Sequence, residues 1–198
     1  MKFNNIDKQF ATHPVFAGFS HHFEQGKYCI TGENGCGKTT LLMMAAGLEL
    51  PDNGQITFNN LAVTDVAVKP LIGISSDKII FPRFLTARQL IEFHCSCYGV
   101  LWPTALIDDL HFKTHLSTLA PALSLGNQKK LSLIMAMTHQ AECLLLDEPT
   151  TGLDSYSRAY IVDYLSVFEG YLIITSHDTL FTNNADYQIF PIADKAVS

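Results

Sequence analysis

The stretch GENGCGKTT, residues 32–40, constrains the fold of this chain more than any other feature. It matches the pattern G-x-x-x-x-G-K-[ST] through Gly32, Gly37, Lys38 and Thr39, between a short apolar run and an apolar, helix-favouring segment. Glycine adopts positive φ readily, so a glycine-rich backbone can turn several N–H groups toward one anion. A buried strand, a phosphate-binding loop and a helix are therefore predicted in that order.

This loop predicts a binding site for a nucleoside triphosphate with Mg²⁺. The Lys38 ammonium supplies positive charge to the β- and γ-phosphates, the helix N-terminus adds its dipole, and the Thr39 hydroxyl is a ligand for Mg²⁺. The alternative is a glycine-rich turn without a ligand, and the strand and helix around the loop argue against it. The predicted nucleotide-binding residues are Gly32, Asn34, Gly35, Cys36, Gly37, Lys38, Thr39 and Thr40.

Composition limits the organisation and the partners of the chain. Its 198 residues, 47% of them hydrophobic, are enough for a single α/β domain over residues 1–198. The net charge is −6 and no run of Lys or Arg exceeds two residues, so broad nucleic-acid binding is not expected.

The cysteines and the apolar runs indicate where the chain is located. The five cysteines have no disulfide-like spacing, which favours a protein of the reducing cytosol. No apolar run approaches the roughly 20 residues that span a bilayer, so a soluble chain is expected, with any membrane role through a partner.

Strand and helix patterns alternate along the chain and predict a largely parallel sheet. Residues 2–23 are expected to form short extended pieces, broken at His13-Pro14 and at Gly18. Residues 78–122 are expected to be mostly helical. The other predicted strands are 27–31, 55–58, 71–74, 143–146, 170–175 and 187–190, and the other predicted helices are 38–48, 86–98, 124–140 capped by Ser124, and 154–168 capped by Asp154.

The stretch CLLLDEP, residues 143–149, places two acidic residues, Asp147 and Glu148, at the end of a predicted buried strand. Asp147 is placed to hold Mg²⁺ through water. Glu148, one residue on, points to the opposite side of the strand, where it can polarise an attacking water as a general base. Two solvated acids at a strand end are the alternative, which the phosphate loop makes less probable.

Three further motifs complete a family pattern. LSLGNQ begins at residue 123, TGLD covers residues 151–154 and ITSH covers residues 174–177. Together with the phosphate loop and LLLDEP, and in this order, they resemble the ATP-binding cassette (ABC) ATPases over nearly the whole chain. The resemblance implies an α/β fold with a P-loop NTPase core, a mostly parallel sheet, N-terminal antiparallel β pieces and a small helical subdomain inserted at about residues 78–140.

The resemblance also implies that two cassettes pack head to tail around two ATP molecules. Ser124 and Gly126 of one copy would close over the γ-phosphate that Lys38 of the other copy binds. Asp154 would lie at the interface between the copies, which form a homodimer or a heterodimer. His177 would contact the γ-phosphate and hold Glu148 and the water in order.

Two positions are less clearly assigned. Phe10 resembles the ring that stacks on adenine, but Phe3 and Phe16 are close in sequence and a core role for Phe10 is equally compatible. Asp77 takes the place of a family Gln that touches Mg²⁺ and links the site to the transport partner. Asp keeps an oxygen ligand but has a shorter reach and a negative charge. Asn127 replaces another common Gln and keeps the amide.

Other candidate sites in the sequence are weaker. His94, Cys95 and Cys97 have a metal-like spacing, but on an apolar helix they are more often core residues. His21-His22 has no second pair of ligands near it in the sequence. Cys36 is predicted to be a reactive thiol, because it lies near Lys38 and a helix N-terminus.

The function that the resemblance implies is an ATPase subunit that drives a separate membrane permease from the cytoplasmic face of the membrane. Residues 77–99, with Phe81, Phe84, Leu90 and Phe93, are the predicted permease dock, although ordinary subdomain core explains most of these side chains equally well. The alternative is a soluble cassette that acts on ribosomes or DNA. A third possibility is a cassette that binds ATP and scarcely hydrolyses it, which Asp77 keeps open. The short length is similar to that of the cassette subunit associated with haem export.

Overall fold

A computed structural model describes residues 1–192 of the chain. Its centre is a five-stranded sheet in which every pairing is parallel. The carboxyl ends of parallel strands meet at one edge of a sheet, and the phosphate loop, Asp147 and His177 all follow strands at that edge. In spatial order the strands are β6 (Ile72–Ser75), β7 (Cys143–Asp147), β8 (Tyr171–Thr175), β3 (Gly26–Thr31) and β9 (Tyr187–Pro191).

The N-terminal region forms a second, antiparallel sheet of four strands. The predicted breaks at His13-Pro14 and Gly18 are wrong, because both lie inside the second strand. That strand is at the edge of the sheet, where a proline costs no ladder hydrogen bond, and Gly18, at φ +63°, lies where the pairing register shifts. The strands, in spatial order, are β2 (His13–His22), β1 (Lys2–Phe10), β4 (Asn53–Phe58) and β5 (Leu61–Ala62).

Residues 1–192 form six α-helices, and none of them is long and apolar enough to cross a membrane. The predicted caps are confirmed, since the Ser124 and Asp154 side chains each accept a backbone N–H three residues on. The first helix is shorter than predicted, because Gly47 takes a left-handed conformation after it. The helices are α1 (Lys38–Ala45), α2 (Ala87–Tyr98), α3 (Thr104–Asp109), α4 (Leu125–Thr138), α5 (Ser155–Ser166) and α6 (Thr179–Thr182).

The segment between residues 78 and 122 is less helical than predicted. It contains α2, α3 and two single turns of 3₁₀-helix, and residues 78–85 form turns and irregular structure. An antiparallel bridge joins Thr86 to Leu119 and closes this segment back on itself. Three prolines divide it and prevent one continuous helical stretch. The division into a core and a helical subdomain at about residues 78–140 stays a prediction.

Two apolar clusters pack on opposite faces of the parallel sheet. Leu144 and Leu146 of β7 face the cluster formed with α2, α4 and α5, whereas Cys143 and Leu145 face the cluster formed with α1 and the antiparallel sheet. Helix α4 lies close against β6, because a Cβ added to Gly73 would be only 2.1 Å from the Ala136 carbonyl oxygen. This close packing holds the C-terminal part of α4, which contains Ala136, against β6.

Candidate active site

The phosphate loop has the conformation that its glycines predict. Gly32, Gly35 and Gly37 have φ of +150°, +90° and +104°, which L-residues with a Cβ rarely adopt. Lys38 is buried, and its Nζ donates to the carbonyl oxygens of Gly32 at 2.7 Å and Glu33 at 2.8 Å. The ammonium therefore lies folded over the loop, directly at the N-terminus of α1, where the first helical N–H groups have no intrahelical partner.

Asp147 is held in one orientation at the end of β7. Its Oδ1 accepts a hydrogen bond from the Thr175 hydroxyl at 2.6 Å, and its Oδ2 accepts one from the Ser76 hydroxyl at 2.9 Å. The ammonium of Lys129 donates to the Asp147 backbone carbonyl at 2.9 Å. A carboxylate has about four lone-pair positions, so both oxygens keep capacity for a metal-bound water.

Glu148 has an unusual backbone conformation for its residue type, with φ +46°. A left-handed conformation at a residue other than glycine costs about 1–3 kcal/mol, and it persists where surrounding bonds enforce it. Here the Glu148 N–H donates to both oxygens of Thr175, at 3.0 and 3.1 Å. The carboxylate accepts from the Thr151 hydroxyl at 3.3 Å and lies 3.8 Å from His177 Nε2. This turn brings the acid next to His177.

These groups line a common cavity of about 400 Å³. That volume is within the roughly 300–1,000 Å³ range of small-molecule sites. Carboxylate and hydroxyl oxygens are the ligands that Mg²⁺ prefers, so Thr39 and Asp147 fit the predicted ion. The lining includes the predicted nucleotide contacts Asn34, Gly35, Gly37, Lys38, Thr39 and Thr40, with Asp147, Glu148 and Phe10.

Burial separates the three phenylalanines that the sequence offered for adenine stacking. Phe3 and Phe16 are each 3% exposed and belong to the core under the antiparallel sheet. Phe10 ends β1, is 43% exposed and lines the cavity. Its ring is therefore free to contact a ligand, and the stacking role stays a prediction.

Asp77 lies beside this cavity but faces away from it. Its carboxylate is 79% exposed and is 2.6 Å from the ammonium of Lys129 on α4. The cavity wall is formed instead by Lys78, the next residue. The role of Asp77 as a magnesium ligand stays a prediction, and it requires the carboxylate to leave Lys129.

Five of the predicted nucleotide contacts do not line this cavity: Gly32 and Cys36, which belong to the phosphate loop itself, and Ser124, Gly126 and Asp154. Ser124 caps α4, and a Cβ on Gly126 would be 2.4 Å from the Gly152 carbonyl oxygen. Asp154 caps α5, and its pKa is lowered from the usual carboxyl value by hydrogen bonds from Lys130 and from the Ser157 backbone. The chain therefore presents the cavity at the phosphate loop and a separate surface made of Ser124, Gly126 and Asp154.

The histidine and cysteine candidates form no metal site. Within residues 1–192 no group of three or more His, Cys, Asp or Glu side chains could hold an ion. Cys95 is buried in the core, as predicted for this helix, while Cys97 is exposed. His21 packs its ring against Phe23 and Phe190. Cys36 is buried within the phosphate loop, so its predicted reactivity requires the loop to open.

His94 instead pairs with a residue that the sequence analysis did not single out. His94 Nε2 lies 3.1 Å from Nδ1 of His139, which caps the C-terminus of α4 and also contacts the Ile72 carbonyl at 3.2 Å. The Tyr98 ring stacks on His139 at 4.3 Å. Burial lowers the pKa of His94 to about 4 and also lowers the pKa of His139. The pair is therefore neutral at pH 7.

This pair predicts a loss of stability in acid. Between about pH 6.5 and pH 4 the unfolded chain binds protons that the folded histidines exclude, so unfolding is favoured as the pH falls through that window. Because the His94 ring is only partly buried, we expect a loss of about 1–2 kcal/mol between pH 7 and pH 5. Urea unfolding at both pH values measures it.

The control variants for this prediction are His94→Gln, which cannot titrate, and His13→Gln, an exposed histidine on the N-terminal hairpin. His94→Gln should reduce the difference between the two pH values, and His13→Gln should leave it unchanged. An equal pH dependence in His94→Gln and the unaltered chain would contradict the assignment to this pair.

Several residues of the site were missed in the sequence. They are Ser76, Lys129, Thr151 and Thr175, which hydrogen-bond to Asp147 or Glu148, and Lys78 in the cavity wall. The signal that could have found them is position, because Ser76 and Thr175 end or follow neighbouring strands of a parallel sheet.

The chain is similar to many known proteins. A family model described as ABC transporter matches residues 17–151. The cytochrome c biogenesis ATP-binding export protein CcmA of Legionella pneumophila (strain Lens) is 30% identical over 92% of this chain and 95% of its own length. The ATP-binding cassette sub-family A member 9 of Mus musculus is 32% identical over 85% of this chain and 11% of its own length. The linearmycin resistance ATP-binding protein LnrL of Bacillus subtilis (strain 168) is 27% identical over 80% of this chain and 54% of its own length.

This chain spans about half the length or less of several of the curated relatives that it matches, although it covers 95% of the Legionella pneumophila protein. Solved structures agree on the fold. The ATP-binding subunit of an ABC transporter superposes with a TM-score of 0.83 at 17% identity over 98% of this chain and 88% of its own. The dimeric bacterial cassette MJ0796 superposes with a TM-score of 0.81 at 18% identity, over 98% of this chain and 96% of its own. These comparisons confirm the predicted family and fold class, and the chain belongs to the ABC transporter family as one of its ATP-binding cassettes.

Proposed function

We propose that this chain binds ATP with Mg²⁺ and hydrolyses it as the nucleotide-binding subunit of an ABC transporter. The observation that supports the proposal most is the single cavity that joins the phosphate loop, Asp147, Glu148 and the exposed ring of Phe10. It combines groups for the base, the phosphates, the metal and the attacking water. A solved relative in fold, the MJ0796 cassette, is described as bound to ADP and Pi after hydrolysis.

Binding uses groups that the fold has already oriented. Lys38 and the N-terminal amides of α1 hold the β- and γ-phosphates, and the Phe10 ring stacks on adenine. Thr39 and Asp147 would hold Mg²⁺, which when bound neutralises charge that develops on the phosphates. The hydroxyls of Ser76 and Thr175 keep the Asp147 carboxylate aimed at this position.

Hydrolysis uses Glu148 as the general base. Its carboxylate accepts a proton from the attacking water, and the Thr151 hydroxyl and His177 hold it in place from two sides. His177 is 56% exposed at its side chain, so it is free to contact a γ-phosphate. The presence of both residues argues against a cassette that binds ATP and scarcely hydrolyses it.

A second copy completes each site. Ser124 and Gly126 lie on a surface separate from the cavity, which is the arrangement that a head-to-tail dimer requires. Leu125 between them is 83% exposed and available to a partner copy. The related fold of MJ0796 is described as dimeric, which supports the same assembly here. ATP at both sites would favour the closed dimer, and hydrolysis would reopen it.

A membrane permease is the proposed transport partner, which would hold the subunit at the cytoplasmic face of a membrane. Its dock is residues 77–99, where Phe84 and Phe93 are 79% and 66% exposed. Leu90, by contrast, is buried in the core, and Phe81 is half-buried. Exposed aromatic side chains on one segment indicate an interaction site. The alternative, action on ribosomes or DNA, is less favoured, because the chain has a net charge of −6.

Capture of the partner tests this proposal. A Glu148→Gln chain would be incubated with ATP and native membranes solubilised in mild detergent, then purified with whatever remains bound. We expect an integral membrane protein in near one-to-one amount. A double variant, Phe84→Ser with Phe93→Ser, should lose that protein and keep ATP binding. Recovery of ribosomes or DNA, or of a soluble dimer alone, would favour the alternative function.

A further inference from the structure

Lys78 occupies a position in the cavity wall that the family resemblance did not assign. Its backbone N–H is 3.3 Å from the Ser76 hydroxyl, which in turn donates to Asp147 Oδ2 at 2.9 Å. The base of the Lys78 side chain is thus two hydrogen bonds from the proposed metal carboxylate. A backbone bond from the Ile79 N–H to the Ser76 carbonyl closes the turn and fixes this placement.

The other end of the same side chain reaches the opposite side of the cavity. Lys78 Nζ lies 5.9 Å from the centroid of the Phe10 ring. Phe10 marks the proposed base end of the site and Asp147 marks the end where the γ-phosphate would lie. The side chain of Lys78 therefore extends along the cavity wall from the Asp147 end toward Phe10.

The charge of Lys78 is unbalanced, whereas that of the other lysine near Phe10 is not. Lys8 Nζ is 4.9 Å from the same ring, but it pairs with Glu49 at 2.5 Å and with Asp52 at 3.7 Å. Within residues 1–192 no carboxylate oxygen lies within 4.0 Å of Lys78 Nζ, while the neighbouring Asp77 is paired with Lys129. Among the described residues, the Lys78 ammonium therefore has no carboxylate partner, and it lies over the Phe10 ring, next to a site for a polyanion.

We propose that Lys78 is a second cationic contact for the phosphate chain of the nucleotide, in addition to Lys38. This inference rests on the proposed function, since it assigns one more binding residue to the same site. An ammonium in a partly enclosed cavity interacts more strongly with phosphate than it does in bulk water. We assign the contact to the phosphates because they carry the negative charge that an ammonium attracts, whereas the adenine base is neutral, and this contact requires the ammonium to move off the Phe10 ring when the nucleotide binds.

Titration calorimetry of the full chain tests the role of Lys78. ATP, ADP and adenosine are titrated with magnesium chelated, so that turnover does not consume the ligand. We expect Lys78→Ala to weaken ATP and ADP binding about five- to tenfold and to leave adenosine binding unchanged, a size typical of one exposed charge contact. Lys78→Arg should keep affinity within about twofold, and the salt dependence of ATP binding should be weaker in Lys78→Ala.

Lys113→Ala, which removes an exposed lysine remote from the cavity, is the matched control and should bind as the unaltered chain does. Unchanged ATP affinity in Lys78→Ala overturns the inference and leaves the proposed function intact. An equal loss of adenosine binding also overturns it, since Lys78 would then act on the base. Failure of the unaltered chain to bind ATP, both with magnesium chelated and with magnesium present, would overturn both.

Discussion

Replacing Glu148 by Gln should lower ATP turnover by a factor of about 10²–10⁴, the usual contribution of a general base. The amide has nearly the same volume and can still accept the hydrogen bond that Thr151 donates at 3.3 Å. It cannot accept a proton from water. ATP binding should therefore remain, because no phosphate contact is removed, and the variant should accumulate as a closed dimer with ATP.

Phosphate release, ATP affinity and size-exclusion chromatography with and without ATP are the three measurements for this variant. Glu24→Gln is the control, an exposed glutamate outside the cavity that should change none of them. Normal turnover in Glu148→Gln would remove Glu148 from its role as base. Lost binding of ATP would show instead that the acid supports the site structurally.

Lys38→Ala should abolish measurable ATP binding. The variant removes the one ammonium that lies folded over the phosphate loop, and it also removes the bonds from Nζ to the Gly32 and Glu33 carbonyl oxygens. ATP at about 100 times its dissociation constant should stabilise the unaltered chain by about 2.7 kcal/mol, and so raise its Tm by roughly 5–10 °C. Lys38→Ala should show no such increase.

Thermal unfolding with and without ATP measures this effect, and urea unfolding without ATP shows whether the variant is folded. The Lys113→Ala chain should keep the full increase in Tm, since its ammonium lies outside the cavity. A Lys38→Ala chain that ATP stabilises as strongly as the unaltered one would mean that the nucleotide binds elsewhere.

Local patterns predicted the parts of the site that depend on neighbouring residues in the sequence. The phosphate loop follows from three glycines whose positive φ is needed wherever the loop is placed. The caps at Ser124 and Asp154 follow from side chains that bond to the backbone three residues on. Asp147 and Glu148 follow from a strand that ends in two acids.

The parts that sequence did not predict depend on which elements become neighbours in space. The breaks expected at Pro14 and Gly18 were wrong, because the strand that contains them lies at a sheet edge that tolerates them. Ser76 and Thr175 contact Asp147 because β6 and β8 flank β7. Which strands lie next to each other is known only once the sheet topology is known. Lys129 was also missed, because a lysine on a helix is usually solvated, yet this one is buried.

We propose that each catalytic site is built from two copies of the chain, and mixing two inactive variants distinguishes this assembly from a site that is complete within one chain. One variant is Lys38→Ala. The other is Leu125→Glu, which places a carboxylate where the partner's γ-phosphate would lie, at a side chain so exposed that the fold should be unaffected. Each variant alone should be inactive in phosphate release.

In a mixed dimer one site carries both changes and the other carries neither. An equal mixture should therefore recover up to about a quarter of normal turnover, since half the dimers are mixed and each has one intact site. If the site were complete within one chain, no combination of the two variants would contain an intact site. A mixture no more active than either variant alone would contradict the composite site.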